Sequence, residues 1–284
     1  MTITLELPLK TLRSFANAVD AITPEARLHV EADGLRIISI DRDNAAFVDA
    51  KLPHTPKVSG FIRYDLSRYS PEEIKGCVFG LDVGTLKKLL GFAAAWDLPP
   101  TAVTLTLKGR NSPGMGVVFN GLGRRRRAYL KALDVNALRK DPDPTQALYD
   151  EMPAMATAPG AFLHEAIATA ATFGNQIRID LKTPADQPAA LSLEAVPDDG
   201  SGHTVTFEIP EPAPLSGALR WKRAKARSLF SINYLTEMAR KGSPLAEADL
   251  VEIHLGIDHP VRFEFDIAHV GHVTYALAPR IKVD

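Results

Sequence analysis

A single cysteine, Cys77, among 284 residues excludes an intramolecular disulfide and any zinc site built from several thiolates. No run of about 18 apolar residues occurs, so no bilayer-spanning helix is expected. The opening residues MTITLELPLKTLRSF lack a basic segment followed by an apolar block. No secretory leader is therefore expected, and the chain reads as cytoplasmic. Charge of one sign is missing too: 33 Lys and Arg stand against 34 Asp and Glu, a net charge of −1. A protein that grips nucleic acid by bulk charge shows a basic excess, so any such contact here must come from local clustering.

Catalytic and metal patterns are equally scarce. Neither GxSxG nor HExxH occurs, and Gly121-Leu122-Gly123 precedes arginines rather than a helix with a third glycine. Asp41-Arg42-Asp43-Asn44 opens like a calcium loop, but Ala46 stands at the glycine position and Leu52 at the final glutamate. His254, His259, His269 and His272 fit no standard zinc spacing, and on alternating strands they would point different ways. Cys77 sits in an apolar stretch and reads as packed rather than nucleophilic. No enzyme activity, metal or cofactor is expected. A hydrolase or transferase with an unrecognised site is the competing reading from another class.

What is present is a length suited to roughly two domains, with 45% apolar and 24% charged residues. Strand-like segments bounded by Gly, Pro, Asp or Asn recur: Thr2–Leu7, Arg27–Glu31, Leu35–Ile40, Ala46–Leu52, Val103–Leu107 and Met115–Asn120 come first. Gln176–Leu181, Ala190–Ala195, Thr204–Ile209, Leu219–Lys222, Leu250–Leu255, Val261–Ile267 and Val273–Leu277 follow. Ala32-Asp33-Gly34 reads as a hairpin turn. Four apolar stripes predict short helices, carried by Leu9, Leu12, Ala16, Val19 and Ile22; Val83, Leu86, Leu89, Leu90 and Ala93; Phe162, Leu163, Ala166, Ile167 and Ala170; and Ile232, Leu235, Met238 and Ala239. The class is α+β.

The order of elements repeats after about 150 residues, which predicts an internal duplication. Asp134–Pro159, with Pro142, Pro144, Pro153 and Pro159, reads as an extended linker. The expected division is 1–133, linker 134–159, and 160–284.

FSINYLTEMARKG, LVEIHLGIDHPVRFEFDI and VTYALAPRI near the C-terminus resemble the end of the DNA sliding clamps of the proliferating cell nuclear antigen (PCNA) family, especially archaeal ones. LHVEADGLRIISIDRDNAAFVDAKLP, FGLDVGTLKKLLGF and the ALDV that opens the linker agree with it. The resemblance implies two similar clamp domains per chain, with antiparallel sheets outside and four short helices lining a ring of three chains. Duplex DNA is encircled without sequence preference, and polymerase, ligase, nuclease and clamp loader dock through short peptide motifs. A specialised or checkpoint-type paralogue assembling with other subunits is the alternative within the fold. The chain is longer than typical archaeal members, with the excess in 53–78, the linker, 182–188 and 197–203.

Opposite the apolar stripes lie Lys10 and Arg13, Lys87 and Lys88, and Arg240 and Lys241. On the clamp reading these face phosphate, each contact releasing counterions. The third helix departs, with His164, Glu165, Ala168, Thr169 and Thr172 on its outer side. Arg124, Arg125, Arg126 and Arg127 align with the family's strand at the subunit boundary. Their expected counterpart is Thr204–Ile209, with Thr204, Thr206 and Glu208, together with Glu165 of the third helix. A contact between unlike edges is heterologous and closes a ring. The partner-peptide pocket maps onto Ile40, Ala45, Phe47, Leu138, Pro260, Leu277 and Pro279, with Ala276 where an aromatic or large apolar residue is common.

Overall fold

The computed structural model describes residues 2–55, 57–97, 99–108, 113–121, 124–142, 152–182, 189–197, 205–210, 222 and 224–280. They fall into two compact units. One comprises Met1–Ile40, Val48–Pro142 and Asp266–Val273, the other Asp41–Phe47, Asp143–Phe265 and Thr274–Asp284.

The first half of the chain runs β1 (Thr2–Pro8), α1 (Leu9–Asp20), β2 (Glu25–Glu31), β3 (Gly34–Ile40), β4 (Ala46–Pro53), β5 (Arg63–Tyr64), α2 (Pro71–Lys75), β6 (Val78–Asp82), α3 (Val83–Ala94), β7 (Ala102–Lys108), β8 (Gly114–Gly121) and β9 (Arg124–Lys131). The second half runs β10 (Ala154–Ala158), α4 (Gly160–Ala170), β11 (Gln176–Lys182), β12 (Ala190–Val196), β13 (Thr206–Pro210), β14 (Ala226–Ser231), α5 (Ile232–Ala239), β15 (Val251–Leu255), β16 (Val261–Ile267) and β17 (Gly271–Leu277). Set β5 and α2 aside, and one order occurs twice: strand, helix, four strands, helix, three strands.

The sheets repeat as well. The strand run β1-β7-β8-β9 corresponds to β10-β15-β16-β17, and β6-β2-β3-β4 corresponds to β14-β11-β12-β13. Duplication is thus visible in hydrogen-bonded topology, and the additional strand and helix lie within the 53–78 excess. β4 and β17 are neighbours in hydrogen bonding, and each of these strands is itself divided between the two units. Their counterparts β13 and β9 are edge strands among the described residues.

Period-two burial explains the strands. Ile3, Leu5 and Leu7 of β1 point inward, as do Val103, Leu105 and Leu107 of β7. In α1, Leu9, Leu12, Phe15, Ala16 and Val19 are buried, and in α3 Val83, Leu86, Leu90 and Ala93 are. Asp82 starts α3 by accepting from the Thr85 N–H at 2.7 Å.

Several sequence expectations change. Ala154–Ala158, placed in the linker, forms β10 and pairs along its length with β15; Ala154, Ala156 and Ala158 are buried. Short alanines between two prolines hid this alternation. β14 was missed because its inward side chains include Ala226 and Ser228. The short α2 carried a legible signal in Ser70-Pro71-Glu72-Glu73, a capping box with proline at the first helical position. The fourth predicted helix, α5, ends at Ala239, leaving Arg240 and Lys241 beyond it. Of Leu219–Lys222, only Lys222 is described, and it bridges to Met155.

The β2–β3 hairpin closes where Glu31 pairs with Gly34, so the loop is Ala32-Asp33. Gly34 has φ +146°, and a Cβ there would lie 2.0 Å from the Leu52 carbonyl oxygen. Gly34→Ala should therefore cost about 2–4 kcal/mol of stability, read from urea unfolding.

Candidate functional site

The basic helix faces are built by amphipathicity. α1 and α3 pack against each other, burying their apolar stripes, and Lys10, Arg13 and Lys88 stay exposed. Lys87 behaves differently: its ammonium pairs with the Asp20 carboxylate, and both side chains are substantially covered. Its charge is spent inside the unit. In the other unit α4 packs on α5. Lys241 is exposed, while Arg240 is partly buried and lies 3.6 Å from Glu237. Both follow the C-terminus of α5, where the helix dipole favours cations. His164 of α4 has its own task there, donating from Nδ1 to the Ala239 carbonyl at 2.7 Å.

The edge strand β9 is fixed by pairing along its length to β8. Arg126, Ala128 and Leu130 lie opposite Phe119, Val117 and Met115, whereas Arg125, Arg127, Tyr129 and Lys131 occupy the other face. The Arg126 guanidinium sits 4.0 Å above the Trp96 ring, which makes an edge contact with Phe119. Sequence reasoning missed this aromatic platform. It also missed Phe92 on α3, which is 75% exposed. Only the backbone placement of Arg124 is described.

At the other edge, Thr206 and Glu208 of β13 are exposed, and Thr204 lies outside the described residues. Lys182 of β11 pairs with the Glu208 carboxylate, so the acid expected to meet the arginines already has a partner. Glu165 is exposed on α4. Phe162 of α4 makes an edge contact with Phe207 of β13.

The expected pocket residues divide by burial. Phe47 is 2% exposed and Leu277 1%, so both supply core packing. Ala45, Pro260 and Pro279 in the second unit, and Ile40 and Leu138 in the first, are partly exposed; Ala276 is buried. The tail joins the turn before β4 through a hydrogen bond from Ala278 N–H to the Ala45 carbonyl at 2.8 Å. Asp41 organises that turn, accepting from the N–H groups of Asp43, Ala45 and Ala46 at 3.1, 2.7 and 2.8 Å and from the Tyr234 hydroxyl at 2.6 Å. The calcium-like sequence is a capped turn.

The start of the linker is anchored in the first unit by Arg27. Its Nη2 donates to the Val135 and Leu138 carbonyls at 2.8 and 3.1 Å, and His29 Nε2 lies 2.9 Å from Asp141.

Burial pushes the Cys77 thiol up to about 11, so it is not an activated nucleophile.

Two classes of observation then converge. The duplicated unit with two helices and two strand runs is the architecture of the PCNA clamps. The PCNA of Archaeoglobus fulgidus, described as "C-terminal region of FEN-1 bound to A. fulgidus PCNA", superposes with a TM-score of 0.75 at 24% identity, over 99% of this chain and 100% of that one. The PCNA of Thermococcus kodakaraensis gives 0.73 at 20%, over 99% and 100%. Residues 218–280 match the family model described as Proliferating cell nuclear antigen, C-terminal domain. The DNA polymerase sliding clamps of Methanoculleus marisnigri and Methanoregula boonei are 34% and 33% identical over 274 residues, 96% of each chain. The chain belongs to the DNA polymerase sliding clamp family, one of processivity factors rather than enzymes. Equal coverage also means that the length is not peculiar to this chain.

Asp41 yields a pH test. Burial raises its pKa, but the hydrogen bonds from Ala46, Tyr234, Asp43 and Ala45 together hold it below the ordinary value of 3.8. A lowered carboxylate contributes stability above its unfolded pKa and loses it as pH falls through the folded one. Asp41→Asn should cost about 1–3 kcal/mol at pH 7, and the deficit should shrink as the pH falls below 3.8 and the wild type loses its charge. Urea unfolding at pH 7 and pH 3 would measure both.

Proposed function

We propose that the chain is a DNA polymerase processivity factor. Three copies close into a ring around duplex DNA, and the ring tethers replication and repair enzymes without chemistry of its own. The observation that carries the assembly is the leftover pair of edges. β4 and β17 hydrogen-bond within the chain, whereas their duplicates β13 and β9 are both edge strands among the described residues. Backbone N–H and C=O groups on such edges favour pairing, and the shortest way to repeat the β4–β17 join is between copies. The aromatic residues beside the edges, Trp96 near one and Phe162 and Phe207 near the other, supply apolar area for that joint.

Duplex DNA is held through phosphates alone. Of the six cations expected on the helix faces, Lys10, Arg13, Lys88 and Lys241 are exposed, with Arg240 and Lys87 already engaged in ion pairs. Such contacts are loose, salt-sensitive and blind to sequence, as sliding requires. Partner peptides dock on the second unit's surface at Ala45, Pro260 and Pro279, and within the first unit Arg27 holds the start of the linker in place. The protein works in the cytoplasm at the nucleoid.

Light scattering should give about three times 30.9 kDa for the wild type. Arg126→Glu with Arg127→Glu should leave a folded monomer, because the substitutions reverse one charge on each face of β9 and take the guanidinium off the Trp96 ring. A trimer at low concentration would refute this joint.

For DNA, Lys88→Glu is a cleaner probe than Lys87→Glu, which would also break the Asp20 pair. Combined with Arg13→Glu, it should leave assembly intact and reduce synthesis on a primed circular template at least about tenfold, equivalent to 1.4 kcal/mol. Unchanged processivity would show that these helices do not line the DNA path.

A further inference from the structure

Two neighbouring strands of the second unit, β15 and β16, bring a histidine and two glutamates together on one sheet face, beside β10. Antiparallel pairing sets Thr157 of β10 opposite Glu252 of β15, and Glu252 opposite Glu264 of β16. The adjacent row is Met155, His254 and Arg262. Paired residues, and residues two apart on one strand, point to the same side of a sheet. His254 Nε2 lies 3.7 Å from Glu252 Oε2 and 3.6 Å from Glu264 Oε1, and the three donor atoms are all within 4.8 Å of one another. This nitrogen is buried and is held only by those long contacts to the two carboxylates. The Thr157 hydroxyl, on a residue only 3% exposed, is buried without a hydrogen-bond partner. An unmet hydroxyl beside a loosely paired imidazole costs stability unless something fills the space between them.

We propose that Glu252, His254 and Glu264 bind one divalent transition-metal cation of the zinc type. One imidazole nitrogen with two carboxylates is a borderline donor set suited to zinc and poor for magnesium, which takes oxygen ligands and keeps its waters. Tetrahedral bonds of about 2.0–2.2 Å set ligand atoms about 3.3 Å apart, so the separations to His254 need to close by only a few tenths of an ångström. Arg262 Nε, 2.7 Å from Glu264 Oε1, orients that carboxylate as an outer partner does for a ligand. A fourth position stays open for water, with the Thr157 hydroxyl on the same row to meet it. The cation ties β15 to β16 and has a structural role. His272 instead faces Asp266 at 3.2 Å.

The spacing rule that argued against zinc treats ligands as consecutive in sequence. Here Glu252 and His254 share a face at i and i+2, and the register of β16 brings in Glu264.

The test uses the full-length protein stripped with EDTA. Calorimetry with zinc chloride should show one saturable site per chain, and micromolar zinc should raise the melting temperature where the same magnesium does not. His254→Ala and the near-isosteric Glu252→Gln should each weaken zinc binding by at least about tenfold, the usual scale for a lost ligand or its support. Absence of stoichiometric binding in the wild type, or full affinity retained in a folded variant, would overturn the site in favour of a plain ion-pair network. Should His254→Ala fail to fold, Glu252→Gln decides alone.

Discussion

Backbone hydrogen bonding at sheet edges is the constraint from which the rest of this structure follows. A strand buried on one side and paired on the other still has a row of N–H and C=O groups to satisfy. In this chain a duplicated set of strands meets that demand unequally. β4 and β17 satisfy each other, whereas β9 and β13 end their sheets among the described residues. Charging β9 with four arginines suppresses indiscriminate pairing, and the Trp96 platform under Arg126 holds one of those charges in a defined place.

Electrostatics in a chain of net charge −1 is a question of which cations remain available. Asp20 takes up Lys87, Glu237 lies near Arg240, and Glu208 is engaged by Lys182. Neutrality of the whole chain therefore coexists with exposed cations on α1 and α3 and just past the end of α5. A sliding protein benefits from that economy, because a strong overall field would bind DNA tightly along its outer surface as well.

Small polar anchors hold the segments that carry no regular structure. Asp41 gathers three backbone N–H groups and the Tyr234 hydroxyl into one turn, and Arg27 bridges two linker carbonyls. Irregular backbone near a surface stays ordered only where its polar groups find such partners. In both places the position of the backbone depends on a side chain that lies far away in sequence.

The amino-acid sequence by itself determined the α+β class, the four main helices, the duplication and the family, because these follow from periodic apolar spacing and from residues adjacent in order. It exposed the basic stripes as well, since amphipathic faces are written at intervals of three and four. Tertiary structure alone decided which members of those stripes stay available: the partner of Lys87 is 67 residues away and that of Glu208 is 26. It decided that Phe47 and Leu277 are core, and that β10 is a strand, since three alanines acquire meaning only beside β15. The His254 cluster was hidden for the same reason. Cross-strand register sets Glu252 opposite Glu264, and register is fixed by the packing of whole sheets, which no local spacing encodes.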